Sequence, residues 1–154
     1  MQNTTNLLVK KVATMPLNNF MVRPEWAAAG AHCAYSGDQL EIRGTSAPWE
    51  YSAAIKFYIS PVILKSHIDL FLRVRISDVK NNGSVALIDL ESNTIYEEIS
   101  LWETEGEVDI DFIINPISSL PSHLLIRNGF LASSSLVIHS LNVMAFSAGH
   151  TFRF

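Results

Sequence analysis

The sequence predicts an all-β protein built as an antiparallel β-sandwich. Its clearest segment, His67 to Ile76, alternates apolar side chains with other side chains at a period of two, as a half-buried strand does. From residue 67 onward, turn residues recur about every 8–13 positions, the spacing of short strands in sandwiches and barrels. No segment carries the sustained 3.6-residue periodicity of a long helix. We therefore expect two packed sheets and no long helix.

Turn signals separate the predicted strands. Asn82-Gly83 stands between two apolar runs and favours a hairpin, because both residues tolerate positive φ. Ser92-Asn93 marks the next turn and Glu105-Gly106 the one after it, while Asn115-Pro116 ends a strand because proline cannot donate to a ladder. In chain order the predicted strands are 7–12, 40–44, 50–59, 67–76, 85–90, 95–102, 108–114, 123–128 and 136–146, and 24–30 is a predicted helical turn.

The composition narrows the class of protein. Only 17% of the 154 residues are charged, against about 25% in an ordinary soluble domain. The hydrophobic fraction of 48% and the net charge of -4 exclude a disordered chain and a strongly basic nucleic-acid binder. The length fits a single domain, residues 1–154. Neutral Ser and Asn therefore supply much of the solvated surface.

The chain carries no signal for secretion or membrane insertion. Cys33 is the only cysteine, so no disulfide framework forms within the chain. The early apolar run Leu7 to Val9 is too short for a signal peptide, which needs roughly 7–15 apolar residues. No run approaches the roughly 18 residues of a membrane helix. We expect a cytoplasmic protein without a membrane span.

Catalytic and metal motifs are absent from the sequence. There is no GxSxG, HExxH, P-loop or GxGxxG motif after a strand, and the five histidines are scattered singly. Asp109 and Asp111 share one strand face, so a glycoside hydrolase or lyase using this pair is one alternative, and a solvated strand face is the other. We expect no catalytic residues and therefore not an enzyme.

We also expect no cofactor and no metal. A calcium site is the alternative, since carboxylate and amide oxygens cluster near one turn, but turn chemistry explains most of these residues without an ion. The residues of that alternative site are Asp78, Asn81, Asn82 and Glu91.

Aromatic and arginine side chains give the most specific functional signal. Tyr96 and Trp102 fall opposite the apolar stripe of their strand, and Arg73 and Arg75 do so on another strand. Sugar C–H faces stack on aromatic rings, and planar polar side chains bond the hydroxyl groups. The aromatics could equally be core residues of a strand buried on both faces. The two arginines must face water, a carboxylate or a ligand, because unpaired burial of a charge is costly.

Three stretches carry a family resemblance: Trp49 to Ala54, Leu70 to Ile76, and Leu124 to Gly129 followed by a Ser-rich loop. In this order they resemble the jelly-roll, galactose-binding-like carbohydrate-binding modules of bacterial surface-polysaccharide enzymes. The similarity covers about residues 38–146. It implies an antiparallel jelly-roll sandwich of eight to ten strands and non-catalytic binding of a glycan. The residues at matching positions are Trp49, Arg73, Arg75, Arg127 and Asn128, of which Trp49 and Asn128 serve either packing or binding.

Together, the residues and the resemblance predict a carbohydrate-binding module that recognises a bacterial polysaccharide or glycan through one concave sheet face. The predicted contacts are Arg73, Arg75, Trp102, Tyr96, Trp49 and Arg127. Such shallow binding gains from avidity, so a homo-oligomer or a tethered sugar-modifying enzyme is an expected partner. The alternative is a protein-interaction or oligomerisation module that uses the same aromatic, charge-poor surface as an interface.

Overall fold

Strands dominate the computed structural model, which describes residues 9–17, 20–22, 32–43, 54–61, 70–104, 106–114, 121–128 and 134–146. Within these ranges there are eleven strands. They are β1 (Val9–Thr14), β2 (Phe20–Val22), β3 (His32–Ser36), β4 (Gln39–Arg43), β5 (Ala54–Tyr58), β6 (Leu70–Lys80), β7 (Asn82–Asp89), β8 (Thr94–Trp102), β9 (Val108–Ile114), β10 (His123–Asn128) and β11 (Ser135–Phe146). The sequence patterns do not predict β2 or β3, which are short. The predicted helical turn at 24–30 lies outside the described residues.

The strands form two antiparallel sheets. The six-stranded sheet has the order β3-β4-β11-β6-β9, and β1 also pairs with β11. The five-stranded sheet has the order β2-β5-β10-β7-β8. Every neighbouring pair in both sheets is antiparallel. The predicted fold class, an all-β antiparallel sandwich of the jelly-roll type, is confirmed.

The core lies between the two sheets, and the period of two decides which side chains enter it. On β6, Leu72, Val74 and Ile76 are fully buried, while Arg73 and Arg75 between them reach solvent. The five-stranded sheet contributes Phe57, Leu124 and Ile126 to the same cluster. Each large side chain buried in this way stabilises the fold by about 1.5–3 kcal/mol relative to exposure. The alternation therefore also determines which residues remain on the outer faces.

One predicted turn is confirmed and one is wrong. Ser92 and Asn93 join β7 to β8, with Asn93 at φ 56° and the Asp89 carboxylate accepting from the Ser92 hydroxyl at 2.6 Å. The predicted hairpin at Asn82-Gly83 does not form, because β6 and β7 lie in different sheets. The chain instead crosses between the sheets at Asn81, which has a φ of 68°. Positive φ serves a crossing turn as well as a hairpin, so the local signal does not separate the two.

No helix in the described part of the chain is long and apolar enough to cross a membrane. Within the same residues, no group of three or more His, Cys, Asp or Glu side chains lies close enough to hold a metal ion.

Candidate functional site

Arg73 and Arg75 lie opposite two aspartates across the β6–β9 pair. The register places Arg73 beside Asp111 and Arg75 beside Asp109. Arg73 donates from Nε and Nη2 to the two Asp111 oxygens at 2.8 and 2.9 Å. Arg75 donates in the same two-pronged manner to Asp109 at 2.8 and 3.1 Å. We call these four residues the arginine–aspartate ladder. The sequence left three environments open for these arginines, namely water, a carboxylate or a ligand. In the structure both arginines bind carboxylates.

The ladder is electrostatically balanced. The hydrogen bond from Arg75 lowers the pKa of Asp109, and the bonds to their aspartates raise the pKa of Arg73 and of Arg75. These shifts favour the charged forms of Arg73, Arg75 and Asp109. The ladder pairs two arginines with two carboxylates, so its formal charges cancel. A face built in this way offers many directional donors and acceptors with little net charge.

The Asp109–Asp111 pair does not have the electrostatics of a glycosidase pair. Such an enzyme needs one carboxyl group with a raised pKa to act as a general acid. Both aspartates are instead bound by arginine forks, and the pKa of Asp109 is lowered. Cys33 does not favour nucleophilic chemistry either, because burial raises the pKa of its thiol to about 11.

Rows of side chains extend the ladder across the outer face of the six-stranded sheet. In one row, Thr14 on β1, Asn142 on β11, Arg73 on β6 and Asp111 on β9 are cross-strand neighbours. The Thr14 hydroxyl donates to the Asn142 amide oxygen at 2.9 Å. Four strands at about 4.8 Å spacing give this polar row a span of about 14 Å.

An apolar row runs beside the polar one. Met144, Phe71 and Ile113 are cross-strand neighbours on β11, β6 and β9. The Arg73 guanidinium carbon lies 5.2 Å from the centre of the Phe71 ring, so the ring is covered by a cation. Ile113 is 81% exposed. The face therefore combines an apolar strip with a hydrogen-bonding strip.

The other predicted contacts belong to the second sheet. Trp102 and Tyr96 lie on β8, and Arg127 lies on β10 of the five-stranded sheet. The prediction that one sheet presents them together with Arg73 and Arg75 is wrong. Alternation within a strand predicts which residues share a strand face, whereas the sheet to which each strand belongs depends on long-range pairing. Trp49 lies outside the described residues.

Arg127 has a local partner of its own. It is ion-paired with Glu98, and its Nε donates to the Ser84 hydroxyl at 3.1 Å. Its side chain is only 12% exposed. Arg127 therefore connects three neighbouring strands of the five-stranded sheet. Trp102, by contrast, is 69% exposed at the end of the edge strand β8.

The outer face of the five-stranded sheet is closed at its centre. Ala86, Ile88 and Leu125 point away from the main core and form a second cluster, with exposed fractions of 1 to 4%. Side chains at the ladder positions of the other sheet are 30 to 46% exposed. The outer face of the six-stranded sheet, unlike that of the five-stranded sheet, therefore leaves its central polar side chains accessible.

Sequence reasoning missed the polar residues of β11. Ser140 and Asn142 are cross-strand neighbours of Arg75 and Arg73, and His139 lies at a register shift just before them. Leu141 and Val143 alternate with Asn142 and Met144, so the sequence indicates that Asn142 lies on the outer face of its strand. The sequence does not indicate that β11 pairs with β6, because the two strands are far apart along the chain.

The fold resembles those of solved carbohydrate-binding modules. The family 29 module CBM29_1 from Piromyces equi superposes with a TM-score of 0.57 at 12% identity, over 96% of this chain and 97% of that chain. A CBM29-2 variant in complex with mannohexaose gives 0.57 at 14% identity over 91% and 92% of the two chains. A CBM29-2 variant in complex with cellulohexaose gives 0.58 at 12% identity over 93% of each chain.

No protein-family model matches the chain, and no curated protein matches it in sequence. At these identities the likeness to the solved structures shows the fold. The chain thus shares the jelly-roll β-sandwich of the family 29 carbohydrate-binding modules.

Proposed function

We propose that this protein is a non-catalytic carbohydrate-binding module that binds a neutral, hydroxyl-rich glycan across the outer face of its six-stranded sheet. The observation that carries the proposal is the accessible arginine–aspartate ladder, whose donors and acceptors alternate along rows of neighbouring strands. Structural neighbours in complex with mannohexaose and cellulohexaose support the proposal at the level of the fold.

Charge balance favours a neutral glycan over an anionic one. Two carboxylates neutralise the two arginines, and Glu107 adds a third carboxylate 3.8 Å from Arg75. A uronic acid or sulfated sugar would be repelled by these carboxylates, whereas sugar hydroxyl groups can donate to them and accept from the guanidinium groups. Ile113, which is exposed at the end of the apolar row, suits the C–H face of a sugar unit beside the ladder.

Titration calorimetry with manno- and cello-oligosaccharides tests the proposal. We expect Arg73→Ala and Arg75→Ala to weaken binding about tenfold or more, because each removes a charged donor and leaves its aspartate without a partner. Arg43→Ala is the matched control, since Arg43 is an exposed arginine of the same sheet that pairs with Glu41 at 2.9 Å. Trp102→Ala, on the other sheet, should leave the affinity unchanged. Equal affinity of all four variants and the unaltered protein would contradict the site.

The wider context is also a proposal. The resemblance of the three sequence stretches supports a galactose-binding-like module of bacterial surface-polysaccharide synthesis, tethered to a sugar-modifying enzyme or self-associated. The compartment that we propose for it is the cytoplasm. In this proposal the module uses no cofactor. An array that contains bacterial surface polysaccharides beside plant cell-wall glycans tests the source of the ligand. Exclusive binding to the plant glycans would count against the bacterial assignment.

A second candidate function is protein assembly, and one observation favours it. Ile113, 81% exposed, is the member of the apolar row that lies on the edge strand β9. Exposed apolar side chains on an edge strand are a common basis for association between chains. Sedimentation at increasing concentration separates the two functions. An oligomer that Ile113→Lys dissociates, together with an absence of glycan binding, would favour assembly.

A further inference from the structure

A groove lies on the six-stranded sheet at the point where the strand paired with one side of β11 changes from β4 to β1. Residues 135–138 of β11 pair with β4, and residues 142–146 pair with β1 on the same side. Between these two stretches lies a groove of about 440 Å³, which we call the junction groove. Its size falls within the range of small-ligand sites, about 300–1,000 Å³. The groove exists because neither strand continues far enough to fill the edge of β11.

The residues of this gap are held by a chain of hydrogen bonds. The register shifts between Ile138 and Ser140, so His139 is an extra residue that forms a bulge. One ring nitrogen of His139 contacts the Gln39 amide nitrogen at 3.1 Å, and the other contacts the Ser77 hydroxyl at 2.6 Å. The Ser77 hydroxyl also lies 2.8 Å from an Asp78 oxygen. Because both its nitrogens have partners, the imidazole is a fixed part of the groove wall.

Asp78 contributes a second irregularity to the same place. It has a φ of 53°, and it falls within another register shift of the β6–β11 pair. A positive φ at a residue other than glycine stores strain, and bulges commonly redirect side chains at binding sites. Two bulges on adjacent strands thus meet at the hydrogen-bonded chain that holds His139, a lining residue of the groove.

The lining of the junction groove mixes apolar and polar groups. Met15, Pro16 and Leu17 form an apolar wall. Lys11 and Asp38 provide one positive and one negative charge, so neither an anion nor a cation is favoured overall. The polar side chains that complete the lining are Thr14, His139, Ser140 and Asn142. This set of donors and acceptors beside an apolar wall suits a neutral polyol such as a sugar ring.

The junction groove is continuous with the ladder. Two of its lining residues, Asn142 and Ser140, are the cross-strand neighbours of Arg73 and Arg75. Side chains opposite each other in an antiparallel pair have Cβ atoms about 4.5–5.5 Å apart. A glycan lying on the ladder along the polar row would therefore reach the groove on passing β11.

We propose that the junction groove is a distinct sugar subsite, which takes the unit of a neutral glycan that extends past β11 from the ladder. The inference rests on the proposed function, because the ladder holds the rest of the same glycan. It adds an expectation that the ladder does not carry: affinity rises further when the glycan becomes long enough to fill the groove.

A chain-length series tests the subsite. Calorimetry with manno- and cello-oligosaccharides from disaccharide to hexasaccharide is carried out on the unaltered protein and on Asp38→Trp, which fills the groove from an exposed lining position outside the ladder and its polar row. The matched control is Glu97→Trp, at an exposed acidic residue of β8 in the other sheet. A circular dichroism melt of each variant checks that it is folded.

We expect the unaltered protein and Glu97→Trp to gain about tenfold in affinity as the oligosaccharide reaches the groove, as one or two added hydrogen bonds would give. Asp38→Trp should bind short oligosaccharides normally and lose this gain. Normal binding of the whole series by Asp38→Trp would overturn the subsite and leave the ladder intact, as would an equal loss at every length. An absence of binding by the unaltered protein would overturn the proposed function as well.

Discussion

At the scale of single residues, pairing decides what each charged side chain contributes. Arg73 and Arg75 lie on the accessible outer face of β6, and each is held by an aspartate fork. The same pairing keeps these side chains in fixed positions on an accessible face. Charge is scarce in this chain, at 17% of residues, and here it is concentrated in a balanced array. Binding of a neutral glycan needs such preset donors and acceptors more than it needs net charge.

The lowered pKa of Asp109 predicts how stability depends on pH. A carboxyl group whose pKa is depressed in the folded state stabilises the fold above its unfolded pKa, about 3.9, and loses this contribution as the pH falls through its folded value. We expect Asp109→Asn to lower the melting temperature only slightly at pH 7, because an exposed ion pair contributes little, and the difference to vanish only below about pH 3.9. Melting curves from pH 7 to acid measure this, with Asp38→Asn as the control. A difference that disappears near pH 6 would contradict the pairing.

At the scale of elements, β6 shows how one strand serves the core and the site at once. Its inward side chains belong to the main core, and its outward side chains form half of the ladder. Neighbouring strands β11 and β9 pair with it on both sides from Leu70 to Ile76, which includes both arginines. The ladder is therefore mounted on two paired strands, β6 and the edge strand β9, and not on a loop. A site on such a strand is preorganised.

This double role predicts opposite effects from two nearby substitutions. Leu72→Ala should reduce the free energy of unfolding by about 2–5 kcal/mol, because it leaves a cavity in a fully buried position. Arg75→Ala should leave the free energy of unfolding nearly unchanged, since an exposed ion pair contributes little, while it weakens glycan binding. Urea denaturation and calorimetry on both variants provide the measurements. A large loss of stability in Arg75→Ala would make the ladder a structural feature instead of a binding one.

At the scale of the whole molecule, the sheets join segments from distant parts of the chain. β11 pairs with β1, β4 and β6, so the last described strand completes the six-stranded sheet. Three chain segments meet at the junction groove, and the first and last of them are more than a hundred residues apart, as the Thr14–Asn142 hydrogen bond shows. The ladder and the junction groove both depend on this long-range closure.

This topology predicts slow folding. Non-local pairing must overcome the loop-closure entropy before contacts compensate for it, so all-β sandwiches fold in about milliseconds to seconds. We expect stopped-flow tryptophan fluorescence to show refolding in that range. Leu141→Ala, in the centre of β11, should remove a fully buried side chain and speed up unfolding unless β11 pairs early. Complete refolding within microseconds would contradict the role of long-range pairing.

The sequence by itself determined most of the strands and their faces, although not the short strands β2 and β3. Alternation with a period of two marked Leu72, Val74 and Ile76 as core and left Arg73 and Arg75 outside, because the pleat sends successive side chains to opposite faces. It also determined the class of fold and the turn at Ser92-Asn93. These features depend on neighbours only a few residues apart, and such short-range patterns can be read directly from the sequence.

Only the tertiary structure decided which strands lie side by side. It places Trp102, Tyr96 and Arg127 on a different sheet from Arg73 and Arg75. Next to Asn82-Gly83, where a hairpin was expected, the chain crosses between the two sheets. It also brought Asp109 and Asp111 to the arginines and Thr14 to Asn142. Strand pairing is selected by burial summed over both sheets and by backbone hydrogen bonds that are the same for any sequence. No local pattern encodes that choice, so the composition of the candidate site emerges only when the sheets are complete.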